Sequence, residues 1–148
     1  MPMLPAYKPA KSIRGTTPLS NTIPTPDSAI MGHAIIDGLH YLKNRLGWSG
    51  TQIAHILHLP PTTLNTWLKN KTAPINSPTL PPDIQAILHL LAIHRSLEAM
   101  FENPTHQQAW LTTLHPAFNA IPLAIMSKSI DGLIFIRQYL DYTRGRGA

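Results

Sequence analysis

The chain has 148 residues, room for one domain or two small ones, and only 13% of them are charged, against roughly 25% in an average soluble domain. Twelve Lys and Arg outweigh seven Asp and Glu, leaving +5 with eight His counted neutral. The absence of cysteine excludes disulfides, thiolate metal sites, iron–sulfur clusters and cysteine nucleophiles, and makes a reducing cytoplasm the simplest compartment. The opening MPMLPAYKPAKSIRG lacks the apolar core of a secretory signal. His89 and His94 interrupt the richest apolar run, so no membrane span and no membrane partner is expected.

Residues 1–27 are rich in Pro, Ser and Thr, carry Lys8, Lys11 and Arg14, and show no periodicity. They are expected to form a disordered basic tail or an arm that docks on a partner. From Ser28 onward Ile30, Met31, Ala34, Ile35, Leu39, Leu42 and Leu46 recur at three- and four-residue steps, which predicts a helix ending at Gly47. Ser49 and Gln52 form a capping box for a second helix carrying Ile53, Ala54, Ile56 and Leu57. A third starts at Pro61, with Leu64, Trp67 and Leu68 inward. Residues 73–82 read as a Pro-rich linker.

A long helix follows over 83–102, with Ile84, Ile87, Leu88, Leu91, Leu97 and Phe101 on its inner side. Asn103-Pro104 caps a short helix bearing Trp110 and Leu111, and another short helix starts at Pro122. Ser129 caps the last, whose stripe is Leu133, Ile136 and Leu140, with Arg137 beside it facing solvent or a partner. No run alternates polar and apolar residues long enough to predict a strand. The expected class is all-α, with a lobe over 28–72 and a second over 83–148.

The segment GTQIAHILHLPPTTLNTWLKNK reads as a helix-turn-helix, with Ala54 at the helix crossing and Leu59, Leu64 and Leu68 setting the angle. Outward positions Thr62, Thr63, Asn65, Thr66 and Lys69 suit base-edge readout, and Lys43, Arg45, Lys69 and Lys71 suit phosphates. His58 stands where such turns place glycine, so it must enter the left-handed region. Pro60 replaces the usual Ser or Thr cap. Operator DNA is the expected partner, and two recognition helices meeting half-sites about 34 Å apart imply a homodimer. The alternative is a three-helix lobe that only packs.

The second lobe carries Trp110-Leu111, the His115-Pro116-Ala117-Phe118 turn, Pro122-Leu123, and Asp131-Gly132-Leu133 leading to Arg137-Gln138-Tyr139-Leu140. In that order these motifs resemble the toxin-binding domain of the Xre/MbcA/ParS antitoxins, preceded by their Xre-like helix-turn-helix. The segment between Phe118 and Pro122 is one residue shorter than the family's usual glycine-containing turn. The resemblance spans about residues 30–148 and implies a type II antitoxin. Such a protein binds a co-expressed toxin, often a RES-domain enzyme that depletes NAD, within a larger hetero-oligomer, and the pair represses its own promoter. It further implies that the C-terminal region covers the toxin's active-site entrance. The matching positions are the final helix with Arg137, and the tail with Tyr142, Arg144 and Arg146. That tail reads as mobile, with cations between glycines able to enter a phosphate pocket.

An enzyme is not expected. His55 and His58 share a helical face, but no histidine has a carboxylate at metal-ligand spacing, and phosphate loops and nucleophile elbows are missing. No metal and no cofactor are expected. The competing reading is a stand-alone repressor whose second lobe dimerises or senses a ligand. Split at residue 80, the first part carries seven basic and two acidic residues and the second five of each. All the charge imbalance therefore falls on the tail and the first lobe, leaving the second suited to a protein partner.

Overall fold

In the computed structural model, which describes residues 26–75 and 79–147, the periodic segments become seven helices and no named strand. They are α1 (Pro26–Leu46), α2 (Gly50–Leu57), α3 (Pro61–Asn70), α4 (Pro82–Met100), α5 (Pro104–Thr112), α6 (Pro122–Lys128) and α7 (Ile130–Gly147). The expected all-α class holds. Residues 1–25, which include most of the expected tail, lie outside the described residues, as do 76–78 of the expected linker.

The helix starts follow local chemistry. Ser49 Oγ accepts the Gln52 N–H at 3.1 Å, Asn103 Oδ1 the Thr105 N–H at 2.8 Å, and Ser129 Oγ the Gly132 N–H at 3.0 Å. Five helices, α1 and α3 to α6, carry proline in their first turn, where no intrahelical N–H partner is lost.

The first turns of α1 depart from expectation. Ile30, Met31 and Ala34 are exposed, whereas Ile36 is fully buried. The inward residue at that level is Gly32, where a Cβ would lie 2.5 Å from the Ala73 carbonyl oxygen. The connector after α3 therefore lies directly on the α1 backbone. The Ala73 N–H donates to the Gly32 carbonyl at 3.3 Å, and the His33 Nδ1–H to the Lys71 carbonyl at 2.8 Å. Farther along, the His40 Nε2–H donates to the Leu68 carbonyl at 3.0 Å. The start of the expected linker is thus packed, with Ala73 and Ile75 buried.

Helix α4 is central: α1, α2, α5 and α7 all pack on it. Of its expected inner residues Ile84, Ile87 and Leu97 are buried, and Leu88, Leu91 and Phe101 are partly so. Leu90 and Ile93 join them, because a helix covered on several sides has no single inner stripe. One apolar cluster consequently runs from Ile35 through α2, α3 and α4 to Leu140. Polar ties reinforce the same junction. The Tyr41 hydroxyl donates to Glu98 at 2.6 Å, and Trp48 Nε1–H to Gln108 Oε1 at 3.0 Å.

Candidate functional site

Two surfaces carry the residues singled out from the sequence. The first is α2, its turn and α3. His58 enters the left-handed region as expected, at φ 61° and ψ 39°. Its N–H bonds back to the His55 carbonyl, and that of Leu59 to the Ala54 carbonyl, closing α2. The imidazole adds what glycine would lack: its Nε2–H donates to the Met126 carbonyl at 3.1 Å and ties the turn to α6. Ala54 is fully buried beneath, with Leu59, Leu64 and Leu68 around it.

Thr62, Asn65, Thr66 and Lys69 recur at helical spacing on the exposed side of α3, with Lys71 exposed just beyond its end and Thr63 half-buried. Thr66 Oγ–H donates to the Thr62 carbonyl at 2.8 Å. Asn65 lies across the start of α2, its Oδ1 2.5 Å from where a Gly50 Cβ would stand. This face presents short polar groups edged by lysines. Arg45 does not join it. Its guanidinium turns to α4, with Nε 3.7 Å from Glu98 and Nη2 donating to the Glu102 carbonyl at 3.3 Å.

The second surface is built by α5, the 115–120 turn and α7. The His115 N–H donates to the Ala120 carbonyl at 2.9 Å, and His115 Nδ1 accepts the Ala117 N–H at 3.2 Å. Asn119 sits at φ 50°, so an asparagine, which tolerates this region, supplies the left-handed residue of the short turn. His115 stacks on Phe118 with centroids 4.6 Å apart, and Trp110 and Tyr139 meet the imidazole edge-on. Phe118 also meets Phe135 and Tyr139 edge-on. Phe135 is 44% exposed at the rim of this cluster. Beside it lies a mostly apolar hollow of about 370 Å³, lined by Phe101, Ala109, Trp110, Leu114 and His115 among others.

The residues expected to touch a partner divide between two faces of α7. Phe135, Tyr139 and Tyr142 follow one another at four and three residues, and Arg137, Asp141 and Arg144 do so on another side. Arg137 is half-exposed and tied to its own chain: Nη1 donates to His89 Nδ1 at 3.0 Å, and Nε lies 3.4 Å from Asp141. Burial, then the neighbouring guanidinium, push the His89 pKa below the usual histidine value. Arg144 Nη1 donates to Ser96 Oγ on α4 at 3.0 Å. The expected mobile tail is instead helical to Gly147, because α4 gives the terminal turns a wall and an anchor. Tyr142 is exposed, and the Arg146 side chain lies outside the described residues. Of the aromatic stripe only Tyr142 was among the expected contacts; Phe135 and Tyr139 were not, although their spacing to it marks them.

Among the described residues no group of three or more His, Asp or Glu is placed to hold a metal ion, and no helix is long and apolar enough to cross a membrane. Residues 96–146 match the family model of the antitoxin Xre/MbcA/ParS C-terminal toxin-binding domain. That stretch takes in the end of α4, the aromatic turn and nearly all of α7. No curated protein matches the chain.

Proposed function

We propose that this chain is a type II antitoxin: residues 96–146 bind a cognate toxin, and the α2–α3 face binds operator DNA of its own promoter. The observation that carries the reading is the match to a toxin-binding domain over the stretch that exposes the aromatic stripe of α7. Charge supports the division of labour. The net +5 belongs entirely to residues 1–80, while 81–148 are balanced, as suits a polyanion on one side and a protein on the other.

The toxin is a RES-type, NAD-degrading enzyme, by resemblance to the family. Its active-site entrance is covered by the C-terminal end of α7, where Tyr142, Arg144 and Arg146 are closest to the chain terminus and Arg137 lies two turns back. Arginines suit a pocket that accepts the phosphates of a dinucleotide. The antitoxin acts as a homodimer within a larger toxin–antitoxin assembly. On DNA, Thr62, Thr63, Asn65 and Thr66 read base edges, and Lys69 and Lys71 contact phosphates.

Co-expression with the product of the adjacent gene tests the reading. The full chain is expected to restore growth and cellular NAD, and a chain ending at Asp141 is expected to fail at both while remaining folded. Full rescue by the shortened chain would overturn the role of the C-terminal end. In a gel-shift assay with promoter DNA, Thr62→Ala with Asn65→Ala is expected to weaken binding about tenfold or more, leaving neutralisation intact. Unchanged affinity and sequence preference would remove α3 from the DNA interface.

A further inference from the structure

Helix α1 turns an apolar stripe away from the core. Ile30 and Met31 are 67% and 45% exposed, and the surface continues through Ala34 and Gly38 to Tyr41, which is also exposed. Ile30, Ala34, Gly38 and Tyr41 follow at four, four and three residues, so they share one side of the helix. The stripe falls from a large side chain at Ile30 to none at Gly38. There Leu91 of α4 forms a floor, its methyl groups 3.3 and 3.4 Å from where a Cβ would stand. A hollow of about 310 Å³ opens between α1 and α4 at this point, walled by Ala34, Tyr41, Leu91, Arg95 and Glu98 among others. Knob and hollow are eight residues apart, about 12 Å along the helix.

A second copy of the chain satisfies both at once. Two antiparallel α1 helices related by a twofold axis at Ala34 bring each Ile30 opposite the other's Gly38, and the small residues at 34 and 38 permit close approach. The same register carries Asp27, one turn before Ile30, to Tyr41 at the end of the hollow, where Arg95 lines the wall together with Glu98, whose carboxylate already accepts the Tyr41 hydroxyl and faces Arg45. Asp27 and Arg95 are both exposed, and among the described residues neither has an ion-pair partner. The symmetry that seats two isoleucines therefore also pairs two acids with two arginines. Residues 1–25 are a poorer occupant, since they carry three cations and no acid to meet Arg95.

We propose that the chain forms an isologous homodimer through this α1 stripe, with Ile30 of each copy in the Gly38–Leu91 hollow of the other and Asp27 paired with Arg95 across the interface. The dimer itself rests on the homodimer of the proposed function; its surface is assigned from the shape and charge of α1 and α4, so a dimer indifferent to Ile30→Asp removes this surface and leaves that reading standing.

Sedimentation equilibrium on the purified full chain tests it, with circular dichroism to check folding. The wild type is expected to dimerise. Ile30→Asp, at an exposed site that leaves the core intact, is expected to weaken dimerisation by about 10- to 100-fold. Asp27→Arg and Arg95→Asp are each expected to weaken it, and their combination to recover most of the loss. Because the chain has no cysteine, Ala34→Cys supplies a single thiol on the twofold axis. A short bis-maleimide is expected to join it into a covalent dimer, and to leave Thr112→Cys without a covalent cross-link. A monomeric wild type, a dimer indifferent to Ile30→Asp, or a double charge reversal without recovery would overturn the proposal. So would a monomer in which removing residues 1–25 speeds labelling of the thiol at position 34, which would give the face to the chain's own N-terminal segment.

Discussion

Gly132 stands where α7 starts against α6, and a Cβ there would run into the Ile125 carbonyl. The obstacle is backbone and cannot rotate away, so Gly132→Ala must push α6 and α7 apart. It is expected to cost about 1–3 kcal/mol, the usual penalty for overpacking, read as a lower urea midpoint. His94 is a different kind of constraint. It is buried between α1 and α4, with its Nδ1 4.0 Å from Glu98 and its ring 5.8 Å from that of Tyr41. Burial lowers its pKa, with Glu98 and Gln107 opposing and Arg45 adding to the shift. The unfolded chain then binds the proton more readily than the folded one. Stability should be level above the ordinary histidine value of about 6.5 and fall as pH drops below it, by at most about 1.4 kcal/mol per pH unit for this group. Urea melts at pH 7.5 and 5.5 check this, and His94→Leu is expected to reduce the difference. Because His89 is also lowered, part of the slope should survive that substitution.

At the scale of the elements, the turn between α2 and α3 weighs two terms against each other. His58 pays for a left-handed backbone that glycine would adopt freely, and gains a bond to the Met126 carbonyl that glycine cannot make. Each term is about 1 kcal/mol, so His58→Gly is expected to be close to neutral. His58→Ala loses the bond and keeps the strain, and should be less stable than the glycine variant by about 1 kcal/mol, measurable by thermal or urea unfolding. That strain was legible beforehand, because the two helices flanking His58 leave it only one way to turn. Most helix starts were legible too, since Ser49, Asn103 and Ser129 announce themselves as caps and prolines mark first turns, but α1, expected from Ser28, begins at Pro26. The face of early α1 was not. Apolar counting selects Ile30 and Met31, whereas the core wants Gly32, whose value lies in what it lets another segment do. The end of α7 was hidden by Gly145 and Gly147, which read as a stop until Ser96 supplies the partner that holds Arg144. The aromatic cluster was not visible as a surface, because Trp110, His115, Phe118 and Phe135 come together only after α5, the turn and α7 fold together.

For the whole molecule, the separation into a basic first part and a neutral second is a property of the surface and not of the interior. The apolar cluster passes from α1 to α7 without a break, and α4 belongs to both sides of it. Tyr41 and Trp48 reach across to the same region. This has a bearing on how the protein can be divided. The stretch that matches the toxin-binding family begins at residue 96, within α4. A fragment cut there would leave Ile84, Ile87, Leu90 and Ile93 behind and strip the cover from Leu97 and Leu133. What is inherited as a recognisable segment is thus not what folds as a unit, and recombination that traded this segment between proteins would have to carry the first half of α4 with it.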